Sequence, residues 1–289
     1  MPAAQMKEIV GPAAASGRGL GAFNVIGIEH AEAIVAGAEA ASAPVVLQVS
    51  ENCVAYHGAL DPLGRACATI AGSAAVPVAL HLDHATSTEL IREAAGLGFG
   101  SVMYDASALP YDQNVRATAA VARWCHERGI WVEAELGEIG GKDGVHAPHA
   151  RTDPDDAARY VDATEVDALA VAVGSSHAML TRDAVLDNGL IARIHGAVSV
   201  PLVLHGSSGV PDAALAAAIG AGMTKINVAT RLNKVFTAAV RDCLAADSSL
   251  VDPRRYGAAG RDAIAIEVAR LLRLIGAGIV SQDVSPGKP

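Results

Sequence analysis

The chain has 289 residues, enough for one large α/β domain or two small ones. Hydrophobic residues make up 51% of it and aromatics only 3%, so the core is built of Ala and Val, as suits parallel strands buried on both faces. A net charge of −9 without a basic block argues against nucleic acid as a partner, and no run of about 18 uncharged apolar residues predicts a membrane span.

Strands and helices alternate along the sequence. A short strand at Gly21–Val25 precedes a helix over His30–Ala41. Pro44–Ser50 reads as a strand and Asp61–Ala74 as a helix. Pro77–His84 and Ser101–Asp105 read as strands, followed by helices over Ser87–Leu97 and Asp112–Arg128. Ile130–Leu136 is the fifth strand. A long glycine-rich loop, Gly137 to His149, follows it and reads as a mobile lid or a solvated excursion. A helix over Pro154–Asp162, a strand over Asp167–Val173 and a helix near Leu186–Ile194 come next. The strand Pro201–His205, the helix Pro211–Ala221, the strand Thr224–Val228 and the helix Leu232–Ala246 complete eight units. After a turn at 252–256, a last helix spans Gly260–Ile275.

Eight strands alternating with helices predict a closed (β/α)8 TIM barrel in a single domain, 1–289, with extra terminal helices. Residues 1–18 are expected to form a lead-in helix and 281–289 a disordered tail. A doubly wound open sheet is the rival, but it normally carries a glycine-rich phosphate turn after its first strand. Phe23-Asn-Val-Ile-Gly-Ile-Glu29 has none. Cys53, Cys67, Cys125 and Cys243 form no C-x-x-C pair and read as reduced thiols. With no apolar signal core at the N-terminus, a cytoplasmic protein is expected. Alanine-rich exposed helices point to a homodimer or homotetramer.

Three histidines sit at predicted strand exits: His84, His177 and His205. Each alone reads as a hydrogen-bonded structural residue. At the carboxyl rim of one barrel, the three imidazoles would make an open metal site with a position left for substrate. Asp83 directly precedes His84. Adjacent strand residues point to opposite faces, so both can serve the site only if the strand ends between them. Asp83 is then either a general base or an acceptor that orients His81 or His84. Asp105, Glu133 and Glu135 also lie at strand ends, where buried carboxylates are costly unless paired or metal-bound. The loops Gly206-Ser207-Ser208 and Asn227-Val228-Ala229-Thr230 follow the last two strands, where barrels commonly bind phosphate on amides and hydroxyls.

Six segments, in order, carry a resemblance: His81-Leu-Asp-His84, Ser101-Val-Met-Tyr-Asp-Ala-Ser107, Val132-Glu-Ala-Glu-Leu-Gly137, Gly174-Ser-Ser-His177, Leu204-His-Gly-Ser-Ser-Gly209 and Lys225-Ile-Asn-Val-Ala-Thr230. Together they resemble the class II, zinc-dependent ketose-bisphosphate aldolases, which include fructose-1,6- and tagatose-1,6-bisphosphate aldolases. The resemblance implies reversible aldol cleavage of a ketose phosphate or bisphosphate to dihydroxyacetone phosphate and an aldehyde. It implies that Asp83 moves the proton and that His84, His177 and His205 hold Zn2+. Asp105 and Glu135 would serve a second metal position, and a monovalent cation would sit near the phosphate. Gly206, Ser207, Ser208, Asn227, Val228, Ala229 and Thr230 would bind the phosphate. Asn24 and Ser50 would line the pocket, and Ser107 would touch the aldehyde portion. In this family zinc polarises the ketone and stabilises the enediolate.

The sequence departs from the family at Ala85, Ala106 and Ala178, where glycines are usual, and in its Gly-Ser-Ser-Gly phosphate loop. The acidic residue of the loop after the fifth strand has no clean match, with Glu138 and Asp143 as the two choices. Ala229 is nearer the tagatose type. Arg231, Arg254 and Arg255 are choices for a second phosphate or surface residues. The alternatives are a class II aldolase with another acceptor or donor, such as a deoxy-sugar acid phosphate, and a non-catalytic sugar-phosphate-binding homologue. A metal-dependent hydrolase fits poorly, because His81 and His84 are three apart rather than two. A lysine-dependent aldolase would need a buried strand lysine, and Lys225 lies near the start of its strand, away from the catalytic rim.

Overall fold

The computed structural model describes residues 3–136, 151–175 and 181–277. The loop 137–149, the predicted ligand His177 with Ala178, and the tail 281–289 lie outside the described residues. Eight parallel strands close into a barrel in chain order: β1 (Leu20–Asn24), β2 (Val45–Ser50), β3 (Val78–Ala85), β4 (Ser101–Tyr104), β5 (Trp131–Glu135), β6 (Ala168–Ala170), β7 (Leu202–Leu204) and β8 (Met223–Val228). β8 pairs with β1 to complete the ring. This is the (β/α)8 barrel that the alternation predicts.

The described helices are α1 (Met6–Ala15), α2 (Ile28–Ala41), α3 (Glu51–His57), α4 (Asp61–Ser73), α5 (Thr88–Gly96), α6 (Tyr111–His126), α7 (Pro154–Thr164), α8 (Asn188–Ala197), α9 (Asp212–Gly220), α10 (Thr230–Ala246) and α11 (Pro253–Gly276). None of them is long and apolar enough to cross a membrane. Two differ from expectation. The short helix α3 was not anticipated; the Ser50 hydroxyl starts it by accepting from the Cys53 N–H at 3.2 Å. α11 begins seven residues early, through the expected turn. Asp252 accepts from the Arg254 N–H at 3.0 Å and Pro253 occupies the first turn, where its missing N–H costs nothing. β6 is shorter than expected, but the Val171 N–H still bonds Val203 O at 3.3 Å beyond its last residue.

Among the described residues, the amino end of the barrel interior is filled. Met6, Ile9 and Val10 of α1 pack into the interior against Leu20, Ala22, Val46, Ala79 and Trp131 near the strand starts. The Ala4 N–H bonds Val78 O at 2.9 Å, at the first residue of β3. The amino end is therefore plugged with apolar side chains, and the polar residues of the interior collect toward the carboxyl end. Outside, α2 lies tightly on α11. A Cβ on Gly37 would stand 2.6 Å from Ala265 O and 2.7 Å from Val268 Cβ. Near Gly257, in α11, a Cβ would meet nothing within 4 Å.

These two glycines should respond oppositely to alanine. Gly37→Ala should lower stability, because overpacking of about 1–3 kcal/mol exceeds the roughly 0.8–1 kcal/mol gain in helix propensity. Gly257→Ala should raise it by up to about 1 kcal/mol. Urea midpoints of the two variants against the parent check both signs.

Candidate active site

A local break in β3 builds the rim. Leu82 pairs with Val102 and Ala85 with Tyr104, so three steps on β3 face two on β4. That extra residue is a bulge. Its backbone is left-handed at His84, with φ of 51°, a conformation unusual for histidine. The strand thus bends at the Asp83–His84 step instead of ending there. Both side chains reach the same cavity, of about 190 Å³.

Each imidazole is aimed from behind by a carboxylate. His84 Nδ1 lies 2.8 Å from Asp105 Oδ2. His205, just past β7, places Nε2 2.9 Å from Glu133 Oε1. Those outer nitrogens carry the N–H, which leaves His84 Nε2 and His205 Nδ1 facing each other at 2.9 Å. Two bare lone pairs would repel at that distance, so the geometry suits a cation held between them. Carboxylate–imidazole pairs with converging inner nitrogens are the arrangement of histidine metal ligands. Asp83, His84 and His205 each offer a donor atom within 4.8 Å of the others, and so do His84, Asp105 and Glu135. The donor set fits a divalent ion of the zinc type.

Asp83 is oriented separately. Its Oδ2 accepts from Asn24 Nδ2 at 2.9 Å, and Asn24 Oδ1 accepts from Gln48 Nε2 at 2.7 Å. Its buried Oδ1 has no hydrogen-bond partner among the described residues. Gln48 and Asn52, which sequence reasoning missed, line the same cavity. A glutamine inside the aliphatic run Val45–Val49 was the available signal for the first; Asn52 gave none.

The other predicted site residues divide. Asn24, Ser50, Gly206, Ser208, Asn227, Ala229 and Thr230 line the cavity with Asp83, His84 and His205. Ser207 is buried and its hydroxyl donates to Asn227 O, joining the two predicted phosphate loops. Val228 is buried at the end of β8. Ser107 donates to Asp105 Oδ1 at 2.6 Å and so braces the carboxylate behind His84. Arg231 is ion-paired with Glu267, and Arg254 with Asp252. The segment leading to His177 is tied to the rim, because the Ser175 hydroxyl donates to His205 O at 2.6 Å. Gly174, with φ of 118°, makes the turn before it; a Cβ there would stand 2.3 Å from Val185 O.

Charge crowding shows in the protonation of the site. Burial disfavours charge on His84, but Asp83, Asp105 and Glu135 outweigh it and raise its pKa from 6.5 to about 9. Asp105 is buried too, yet its bonds from His84 and Ser107 hold it well below the usual carboxylate range. Burial, then the negative charge of Asp105, pushes Glu135 up to about 8. Beneath them, burial and the Lys225 charge push His81 well below its ordinary value.

The carboxyl rim of this parallel barrel thus gathers paired imidazoles, carboxylates and the small-residue loops after β7 and β8 around one cavity. Residues 4–278 match the family model described as Fructose-bisphosphate aldolase class-II, and the chain belongs to that family. A fructose-bisphosphate aldolase of Geobacillus stearothermophilus is 39% identical over 280 residues, 96% of this chain and 98% of that protein. One from Staphylococcus aureus is 37% identical over 268 residues, covering 91% and 94%. Among solved structures, the YdjI aldolase of Escherichia coli K12 superposes with a TM-score of 0.84 at 31% identity, covering 96% of this chain and 98% of that one.

The metal-stripped protein should lose stability as pH rises. Both raised groups hold more protons folded than unfolded, so the slope of stability with pH is negative. The Glu135 contribution fades from its ordinary 4.5 to about 8, and that of His84 from 6.5 to about 9. Urea midpoints of chelator-treated protein should therefore fall from pH 6.5 to 9. A flat or rising midpoint would contradict these protonation states.

Proposed function

We propose that the chain catalyses metal-dependent, reversible aldol cleavage of a ketose phosphate or bisphosphate, yielding dihydroxyacetone phosphate and an aldehyde. One observation carries the reading: two carboxylate-backed imidazoles converge at 2.9 Å beside an Asp83 oxygen that has no partner among the described residues. His84 and His205 hold the ion, with His177 as the third ligand by resemblance to the family. Zinc bound there supplies a Lewis acid for the ketone oxygen.

The chain's own residues do the rest. Asn24 holds Asp83 Oδ2, so Oδ1 is the atom left to take the proton from the substrate hydroxyl. As that O–H gives up its proton, the neighbouring carbon–carbon bond breaks. The hydroxyl carbon becomes the aldehyde, and the bonding pair stays with the three-carbon half. In condensation Asp83 returns the proton to the new alkoxide. Gly206, Ser208, Asn227, Ala229 and Thr230 line the cavity together with Asp83 and would bind the phosphate of the three-carbon half. Ser107 braces Asp105 through its hydroxyl, and by resemblance to the family it would also touch the aldehyde portion. The acid that protonates the three-carbon fragment belongs to the loop 137–149 by family resemblance, outside the described residues.

Purified, metal-quantified protein incubated with dihydroxyacetone phosphate and a panel of aldehydes tests the reaction. Condensation abolished by chelator and restored by zinc is expected, with the preferred aldehyde naming the acceptor. Asp83→Ala should bind zinc in full yet lose about 10²–10⁴-fold in turnover, the usual worth of a positioned proton carrier. Undiminished turnover in that variant would remove Asp83 from the chemistry.

A further inference from the structure

One fully buried charged group, Lys225, takes no part in the steps above. Lys225 is fully buried in β8 and does not line the cavity. Its position near the strand start would place it away from the rim, but the long side chain climbs to the layer beneath His205. There Nζ lies 2.8 Å from Glu133 Oε2 and 2.8 Å from Asn227 Oδ1. Glu133 is itself fully buried, and its other oxygen accepts from His205 Nε2 at 2.9 Å. Asn227 Nδ2 stands 3.2 Å from that same nitrogen.

We propose that Lys225 is a positioning residue for the metal site: its ammonium fixes Glu133, the carboxylate that aims His205 at the ion. The inference rests on the reading above that His205 ligates a metal. A lone carboxylate at this depth would be costly, and the alternative neighbour cannot neutralise it. His81 Nε2 is 3.7 Å away, too far for a hydrogen bond, and its Nδ1 pairs with Ser101 Oγ at 2.6 Å. Among the described residues, Lys225 is the sole ammonium or guanidinium paired with Glu133. With the ammonium in place, Glu133 Oε1 is held for the His205 N–H, and Nδ1 presents its lone pair to the cavity. The same lysine steers Asn227, whose side chain forms part of the cavity wall, so one buried charge sets both a ligand and a wall residue. Its amine is engaged on two sides, which also removes it as a Schiff-base nucleophile.

The test is zinc affinity by competition with a chromophoric chelator, alongside thermal melting of the same samples. Lys225→Met keeps the chain length and removes the charge. Zinc affinity should fall about 10–100-fold, as when partners behind metal ligands are lost. Lys225→Met combined with Glu133→Gln removes both charges. That double variant should regain melting temperature while its zinc affinity stays low, because the carboxylate behind His205 is gone. A folded Lys225→Met protein with parental zinc affinity would overturn the proposal. So would a double variant in which affinity and melting temperature recover together, and this arm stands even if the single variant does not fold. Failure of the parent protein itself to bind zinc would instead sink the metal reading on which the proposal rests.

Discussion

Two carboxylate–imidazole hydrogen bonds decide what the mouth of this barrel can do. Asp105 behind His84 and Glu133 behind His205 fix which nitrogen of each ring carries the proton. Without them the rings could present N–H groups inward and repel a cation. With them the inner nitrogens meet at 2.9 Å, and Asp83 stands beside them. The bulge in β3 serves the same end. A left-handed His84 costs backbone energy, and the return is that two consecutive residues, Asp83 and His84, reach one cavity.

The interior of the barrel is graded from apolar to charged along its axis. At the amino end α1 and small or aliphatic strand residues fill the space. One layer up come Gln48, His81, Ser101, Glu133 and Lys225, buried but linked by hydrogen bonds or ion pairs. Above them lie Asn24, Asp83, His84, Asp105, Glu135, His205 and Asn227 around the mouth. Charged groups this deep are tolerated only when paired, so the middle layer constrains the upper one. Glu135 shows the tension that remains: crowded by Asp105 and removed from water, it keeps its proton to about pH 8 when no cation is bound.

Much of this was legible in the sequence because parallel barrel strands leave a strong imprint. Runs such as Val45-Val-Leu-Gln-Val49 are buried on both faces and stand out from the helices between them. The strand-end histidines and Asp83 could be picked out by position alone. What escaped depends on pairing between strands or on side-chain reach. The chain Gln48 to Asn24 to Asp83 crosses three strands, and its register is invisible in any one of them. The role of Ser107 behind Asp105 depends on a two-residue turn. Lys225 was judged by its place along β8, although a four-carbon stem moves its amine to the next layer. α3 was missed because seven residues are too few for a helical period to show, and Asp252-Pro-Arg-Arg reads as a turn until Pro253 is recognised as a helix start.

The convergence of His84 and His205 on one ion can be tested without reference to turnover. X-ray absorption at the zinc edge of zinc-loaded protein reads the ligand shell directly. The geometry predicts imidazole nitrogens at about 2.0–2.1 Å, with one fewer in each of His84→Ala and His205→Ala. A shell of oxygens alone, or one unchanged by both substitutions, would contradict a metal held between these two rings.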